Sequence, residues 1–209
     1  PGQSIAMARA DIEAGVATGV PHVSAYQLTI EPNTVFFSKP PKLPEHDLAA
    51  DMQVMIEELL KQNEFQHYET SAFAKPGHRC RHNLNYWEFG DYLGIGAGAH
   101  GKVSFPDRVT RHSRIKQPRE YLAAQNTLAE EKTIPAAELS FEFMLNALRL
   151  QDGFSVSLLT ERIGLAVSVI EHQLQQAEKQ GLIERDWKRI RPSARGQRFL
   201  NELLELFLR

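Results

Sequence analysis

Cys80 is the only cysteine among 209 residues. That excludes a disulfide framework within the chain, and a lone thiol fits a reducing cytosol. It also excludes a cysteine-ligated iron–sulfur cluster here, because such clusters are held by several thiolates. Long apolar runs are missing as well. No stretch approaches the roughly 20 residues of a membrane span, and no signal peptide is expected. Neither sign of charge dominates: Lys and Arg number 24 against 26 Asp and Glu, a net charge of −2. Nothing global therefore points to nucleic acid or an anionic membrane. Internal repeats and low-complexity tracts are absent. The start at Pro1-Gly2, without methionine, reads as that of a fragment or a processed product. What is present, 42% hydrophobic and 24% charged residues, suffices for one large domain or a medium and a small one.

Ser4 reads as a helix N-cap. Ile5, Ala8, Ile12 and Val16 then share a helical face, and Gly19 and Pro21 end that helix. Residues 23–30 alternate as a strand would. Pro32, Pro40, Pro41 and Pro44 make residues 31–44 a loop. Leu48, Met52, Met55 and Leu59 mark an amphipathic helix to about Gln62, and residues 65–73 form a second strand. Strand, helix, strand predicts parallel pairing with helices outside, as in α/β sheets and barrels.

Residues 75–119 carry nine Lys or Arg against three acids, a local excess of +6. Residues 102–114 alternate loosely, which predicts short strands or an extended loop, and Pro118 opens a helix to about Ala129. A domain boundary falls near Thr133-Ile134-Pro135, giving units of 1–132 and 133–209. In the second unit, three helical patterns, a hairpin turning near Asp186 and a final helix over 196–208 follow winged-helix order. Gly164 and Gly181 end the second and third of those helices.

Residues 82–101 concentrate the chemistry. Gly94, Gly96, Gly98 and Gly101 suggest a close backbone approach, either a tight crossing or a ligand floor. Gly96 to Gly101 matches G-x-G-x-x-G, but Lys102-Val103-Ser104-Phe105-Pro106 is no helix start, so a dinucleotide site is not expected. His78, Cys80 and His82 would share one face of a strand, with His100 or His112 as a fourth metal ligand; solvent-facing polar residues are the plainer reading. His, Tyr and Trp interleaved with basic residues suit a flat, anionic, aromatic ligand. In the tail, residues 167–180 carry charges summing to −1, which disfavours DNA phosphate contacts.

These residues bring a family into view. The strings Ser24-Ala25-Tyr26-Gln27-Leu28-Thr29-Ile30-Glu31-Pro32-Asn33-Thr34, Tyr68-Glu69-Thr70-Ser71-Ala72-Phe73-Ala74, His82-Asn83-Leu84-Asn85-Tyr86-Trp87 and Gly90 to Gly101 occur in order. Together they resemble the C-terminal part of the HemN/HemW group of radical S-adenosylmethionine proteins. The H-N-x-x-Y-W string is typical of the HemW branch. The resemblance implies an α/β fold: the second half of a partial, parallel (β/α) barrel and a small helical tail domain. It implies a [4Fe–4S] cluster and S-adenosylmethionine in the family protein, although the C-x-x-x-C-x-x-C cluster motif is not in this chain. It implies heme binding with His82 as ligand to the iron, supported by Asn83, Tyr86 and Trp87. Gln27 and Thr29 fall where the family has a strand flanking S-adenosylmethionine. The function implied is that of a heme chaperone serving a heme-recipient protein. The alternative is oxygen-independent oxidation of coproporphyrinogen III, with a porphyrinogen as substrate. Open sheet edges are expected to need the missing N-terminal half or self-association.

Overall fold

The structure is a computed structural model, and it describes residues 1–208. The chain divides into two compact units, Pro1–Cys80 and Arg81–Arg209.

The first unit opens with α1 (Ile5–Ala17), capped as expected by Ser4, whose Oγ accepts the Met7 N–H at 3.3 Å. β1 (His22–Ser24) follows, then a short α2 (Val35–Ser38) inside the proline-bounded loop, then α3 (His46–Gln62). Ala8 on α1 packs with Met52, Met55 and Leu59 on α3. Asn63 ends α3 by donating its side-chain N–H to the Leu59 carbonyl at 2.8 Å. Leu60, Phe65 and Phe73 seal the other end of the interface, with Val16 and Val23 packed against them.

The predicted second strand is two strands, β2 (Gln66–Glu69) and β3 (Ala72–Ala74), folded back on each other through Thr70 and Ser71. The sheet order is β1-β3-β2, and both pairings are antiparallel. β1 and β2 therefore run the same way, but β3 lies between them. The expected parallel ladder is replaced because the tight turn delivers β3 into the gap first. β1 also stops at Ser24, not Ile30. Its last ladder partner lies at Ser71, where the Ala25 N–H bonds the carbonyl at 2.9 Å, and beyond that no strand is there to pair with it.

The second unit starts with α4 (Arg81–Trp87) and continues through β4 (His100–Ser104), β5 (Val109–Arg114), α5 (Pro118–Ala123) and β6 (Leu128–Thr133). These strands form an antiparallel meander, β4-β5-β6. The helix predicted to reach Ala129 stops at Ala123. Residues 128–133, good helix formers by composition, are instead drawn into pairing with β5, His112 opposite Glu131 and Arg111 opposite Lys132. Tertiary pairing here overrides propensity.

The tail runs α6 (Leu139–Ala147), β7 (Phe154–Ser155), α7 (Val156–Ile163), a single 3-10 turn (Val167–Ile170), α8 (Glu171–Lys179), β8 (Ile183–Arg185) and β9 (Arg189–Pro192). The β7-β9-β8 sheet completes the winged-helix order. Gly164 and Gly181, with φ of +70° and +69°, close α7 and α8 as their sequence positions imply. The final helix is two short ones, α9 (Ala194–Arg198) and α10 (Leu200–Glu205), broken at Phe199. One hydrophobic cluster holds this unit together, and it takes in Phe89, Val109 and Ile134 with Phe143, Leu174 and Leu203. The compact division therefore falls at Cys80/Arg81, earlier than the expected 132/133: residues ahead of Thr133 share the core of the tail helices.

Candidate functional site

The His-Asn-x-x-Tyr-Trp segment is the helix α4. Helical spacing puts His82 and Tyr86 on one face, a turn apart, and Asn83 and Trp87 on the next. His82 is exposed, and Asn83, Tyr86 and Trp87 are half-buried. The helix start at Arg81 breaks the strand alternation that would have put His78, Cys80 and His82 on one face. Among the described residues no group of three or more His, Cys, Asp or Glu could hold a metal ion.

The end of α4 is built with care. Phe89 sits in the left-handed region at φ +56°, a strained place for a large side chain. Its ring is buried at 1% exposure, edge-on to Phe143 at 5.9 Å. The Gly90 N–H bonds the Asn85 carbonyl at 2.7 Å, and a Cβ at Gly90 would collide with the Asn85 side chain. Asn85 Nδ2 in turn donates to the Asp91 carbonyl at 2.9 Å. Asn85, which the motif leaves unspecified, thus ties the helix to the turn that follows it. The signal in the sequence was Gly90, the residue that has to yield space to it.

Behind the exposed face lies an aromatic row. Tyr86 is edge-on to Trp87 with centroids 4.9 Å apart, and tilted against Tyr92 at 5.2 Å. Arg111 Nη1 donates to Tyr92 Oη at 3.3 Å, and its Nη2 pairs with Glu142 at 2.5 Å. Burial, then the neighbouring Tyr86, raises the Tyr92 phenol above its ordinary value. Burial works against the Arg111 charge, but Glu142 outweighs it and holds the guanidinium above its usual value. The Arg149 guanidinium lies 5.2 Å from the Trp87 ring centroid. Trp87 Nε1 is buried and has no hydrogen-bond acceptor.

A second lock fixes the turn after α4. Lys102 is 2% exposed. Its ammonium pairs with Asp91 Oδ1 at 2.9 Å, donates to Ser104 Oγ at 3.1 Å and lies 4.2 Å from the Phe89 centroid. Asp91 also accepts the Ser104 N–H at 3.0 Å.

The glycines make a tight crossing. Tyr92 bridges to Lys102. A Cβ on Gly94 would stand 2.5 Å from the His100 carbonyl oxygen, and one on Gly101 would strike the His112 imidazole. The Gly96 N–H donates to Tyr121 Oη at 3.1 Å and the Gly98 N–H to the Ile115 carbonyl at 2.9 Å. Those are the donors that a phosphate loop would keep free, and a strand follows where a dinucleotide motif needs a helix. His100 is exposed on β4, while the Nε2 of His112 is buried without a partner.

Gln27 and Thr29 are exposed, on irregular chain past the end of β1. The strand expected to carry them ends at Ser24.

Comparison with known proteins now bears on this geometry. Residues 134–199 match the HemN C-terminal domain. Over all 209 residues the chain is 44% identical to the heme chaperone HemW of Haemophilus influenzae, covering 54% of that protein. It is also 44% identical to the heme chaperone HemW of Escherichia coli (strain K12), covering 55%. The chain is thus similar to HemW proteins along its whole length, and its tail matches the HemN C-terminal domain. It spans about half the length of the curated relatives it matches. Among solved structures, the radical SAM enzyme coproporphyrinogen III oxidase (HemN) from Escherichia coli aligns with a TM-score of 0.73. That alignment covers 99% of this chain and 52% of that one at 16% identity, which establishes the shared α/β fold. The chain's one cysteine cannot by itself supply the ligands of a [4Fe–4S] cluster.

Proposed function

We propose that the chain carries the heme-handling region of a heme chaperone, with His82 as the axial ligand to the iron of heme held as cargo. The observation that carries this reading is 44% identity, along the whole chain, to two proteins named heme chaperones. The local geometry supports it. An imidazole is a usual axial ligand for heme iron, and His82 presents one on an exposed helix face that it shares with Tyr86. Arg81, exposed beside it, suits a propionate. Asn83 and Trp87 line the neighbouring face. The Tyr92–Arg111–Glu142 chain holds Tyr86 from behind.

The roles of the residues are simple. His82 ligates the iron through the lone pair of its imidazole. Asn85, Gly90 and the Asp91–Lys102 pair keep α4 at a fixed angle. Release goes to a recipient protein, which takes the iron with a ligand of its own. The cluster and S-adenosylmethionine enter through the family alone, and no step here is assigned to them. The oxidase alternative has the shared fold behind it and nothing more. We keep 132/133 as a boundary between family modules, a reading supported by the start of the matched segment at 134. The edge strands β1 and β2 are covered, in this reading, by the rest of a longer protein or by a second copy.

Heme titration followed at the Soret band tests the assignment. The His82→Ala chain should lose the imidazole-ligated spectrum and bind heme at least about tenfold more weakly, while Tyr86→Phe keeps the spectrum. An unchanged Soret band and affinity in His82→Ala would remove His82 as the ligand.

A further inference from the structure

The wing of the tail domain ends in an indole that the fold does not use. Trp187, at the turn between β8 and β9, is 81% exposed, unusual for a residue that is highly buried on average. Lys188 sits against it, its ammonium 4.3 Å from the ring centroid. Below the tip a cleft of about 710 Å³ opens between the wing and the start of α7. Ligand clefts commonly measure roughly 300–1,000 Å³. Its walls include the hydroxyls of Ser155, Ser157 and Thr160 on one side, and Trp187, Lys188 and Arg189 on the other.

The charges around it have a definite balance. In the adjoining hollow stand Glu178, Arg185 and Asp186. Arg185 is taken by Glu171 and Glu178, each at 2.8 Å. Asp186 accepts the backbone N–H groups of Lys188 and Arg189 at 2.7 and 2.8 Å. These carboxylates are thus spent, Glu171 and Glu178 of α8 on Arg185 and Asp186 on the backbone of its own turn. The larger cleft has an apolar floor of Val156, Ala166 and Val167 and cationic and hydroxyl side chains at its edges, with no acid among them. Arg189 leans inward, donating to the Asp152 carbonyl at 2.7 Å, which leaves Lys188 as the cation next to the free indole face. The Thr160 hydroxyl is taken by the Leu165 carbonyl at 3.0 Å and those of Ser155 and Ser157 bond each other at 2.8 Å, so an exposed aromatic ring beside an ammonium is what a ligand meets: it recognises a flat ring with anionic arms, the ring stacking and an arm taking the charge. Duplex DNA fits poorly, because α8, the helix that would enter a groove, presents Glu171 and Glu178 to Arg185.

We propose that this cleft is a second ligand site, separate from α4, for a flat aromatic molecule bearing carboxylate or phosphate groups. Two sources share that chemistry, a propionate-bearing porphyrin and a nucleotide. The probes are free-base coproporphyrin III, followed by the anisotropy of its own fluorescence, and ATP, followed by calorimetry. Free-base porphyrin has no iron, so His82 cannot ligate it, and the heme reading and this one can fail separately. With the whole chain, one probe should bind saturably and so name the source. Trp187→Ala and Lys188→Glu, both at exposed positions, should each weaken that binding at least about fivefold, while His82→Ala leaves it unchanged. Absence of saturable binding by both probes overturns the proposal. So does binding that ignores both wing substitutions, or that His82→Ala abolishes.

Discussion

Replacing Asp91 by alanine strands the ammonium of Lys102 in the interior. Lys102 is 2% exposed and its one carboxylate partner, at 2.9 Å, would be gone. Breaking a fully buried pair from one side costs roughly 3–5 kcal/mol. The Asp91 side chain is 46% exposed, so solvent already screens part of the attraction, and the cost here should be about 2–3 kcal/mol. In a chain of this size that lowers the thermal midpoint by roughly 4–12 °C. Lys102→Met should cost much less, about 1 kcal/mol or below, because the charge leaves together with its desolvation penalty while the stem's packing on Phe89 persists. The double variant should match Lys102→Met. Urea denaturation followed by circular dichroism measures all three. Equal costs for the two single variants, or costs that add in the double, would refute the stranded-charge reasoning. The pH dependence supplies an independent check. Burial raises the Asp91 carboxyl, but the Ser104 N–H, Lys102 and the Ser104 hydroxyl together bring it below its ordinary value. A depressed carboxyl adds stability above its unfolded-state value, and that stability is lost as pH falls through the folded-state one. Asp91→Ala should remove that acid limb. Burial lowers Lys102 in spite of Asp91. In the alkaline range between its folded and unfolded values the unfolded state holds the extra proton, so stability rises with pH there, and Lys102→Met should abolish the rise.

Two other perturbations follow from the same structure. Glu171 is held from 4.5 down to about 2, first by its bonds to Arg185 and then by Gln175. Its contribution is present above pH 4.5 and fades toward about 2, so urea midpoints should decline across that window, and Arg185→Met should flatten the decline. Gly101→Ala drives a Cβ into the His112 imidazole and to 2.9 Å from the Gly94 nitrogen. That should cost about 1–3 kcal/mol by chemical denaturation, less in a His112→Ala background, and strictly additive costs would count against the contact.

The parts of this fold that local rules govern were legible. The Ser4 cap, the glycine ends of α7 and α8 and the turn at Asp186 each depend on atoms within a few residues, so composition and spacing suffice. Where a distant partner decides, sequence pattern misled. The helix expected to reach about Ala129 stops at Ala123, and β5 claims the chain from Leu128. The alternation past Ser24 means strand only if another strand lies alongside. The expected β1–β2 pairing failed because a turn two residues long placed β3 between them. At the candidate site the motif string pointed to His82, Asn83, Tyr86 and Trp87, but Asn85, Tyr92, Arg111 and Glu142 could not be read from it. Glu142 is 31 residues from the arginine it holds, and no spacing rule spans that distance.

By itself, then, the sequence carried the family resemblance, the lack of cluster cysteines in this chain, the winged-helix order of the tail and the string that holds His82, since motif strings, residue counts and short-range caps need no coordinates. Only the tertiary structure decided that this string is a helix, pinned through the buried Lys102 and its partner Asp91, that the glycines are a crossing with the Gly96 and Gly98 N–H groups already spent, and that Trp187 stands exposed over a cleft. Those depend on which surfaces are buried together, and burial is a property of the folded chain that neighbouring letters do not carry.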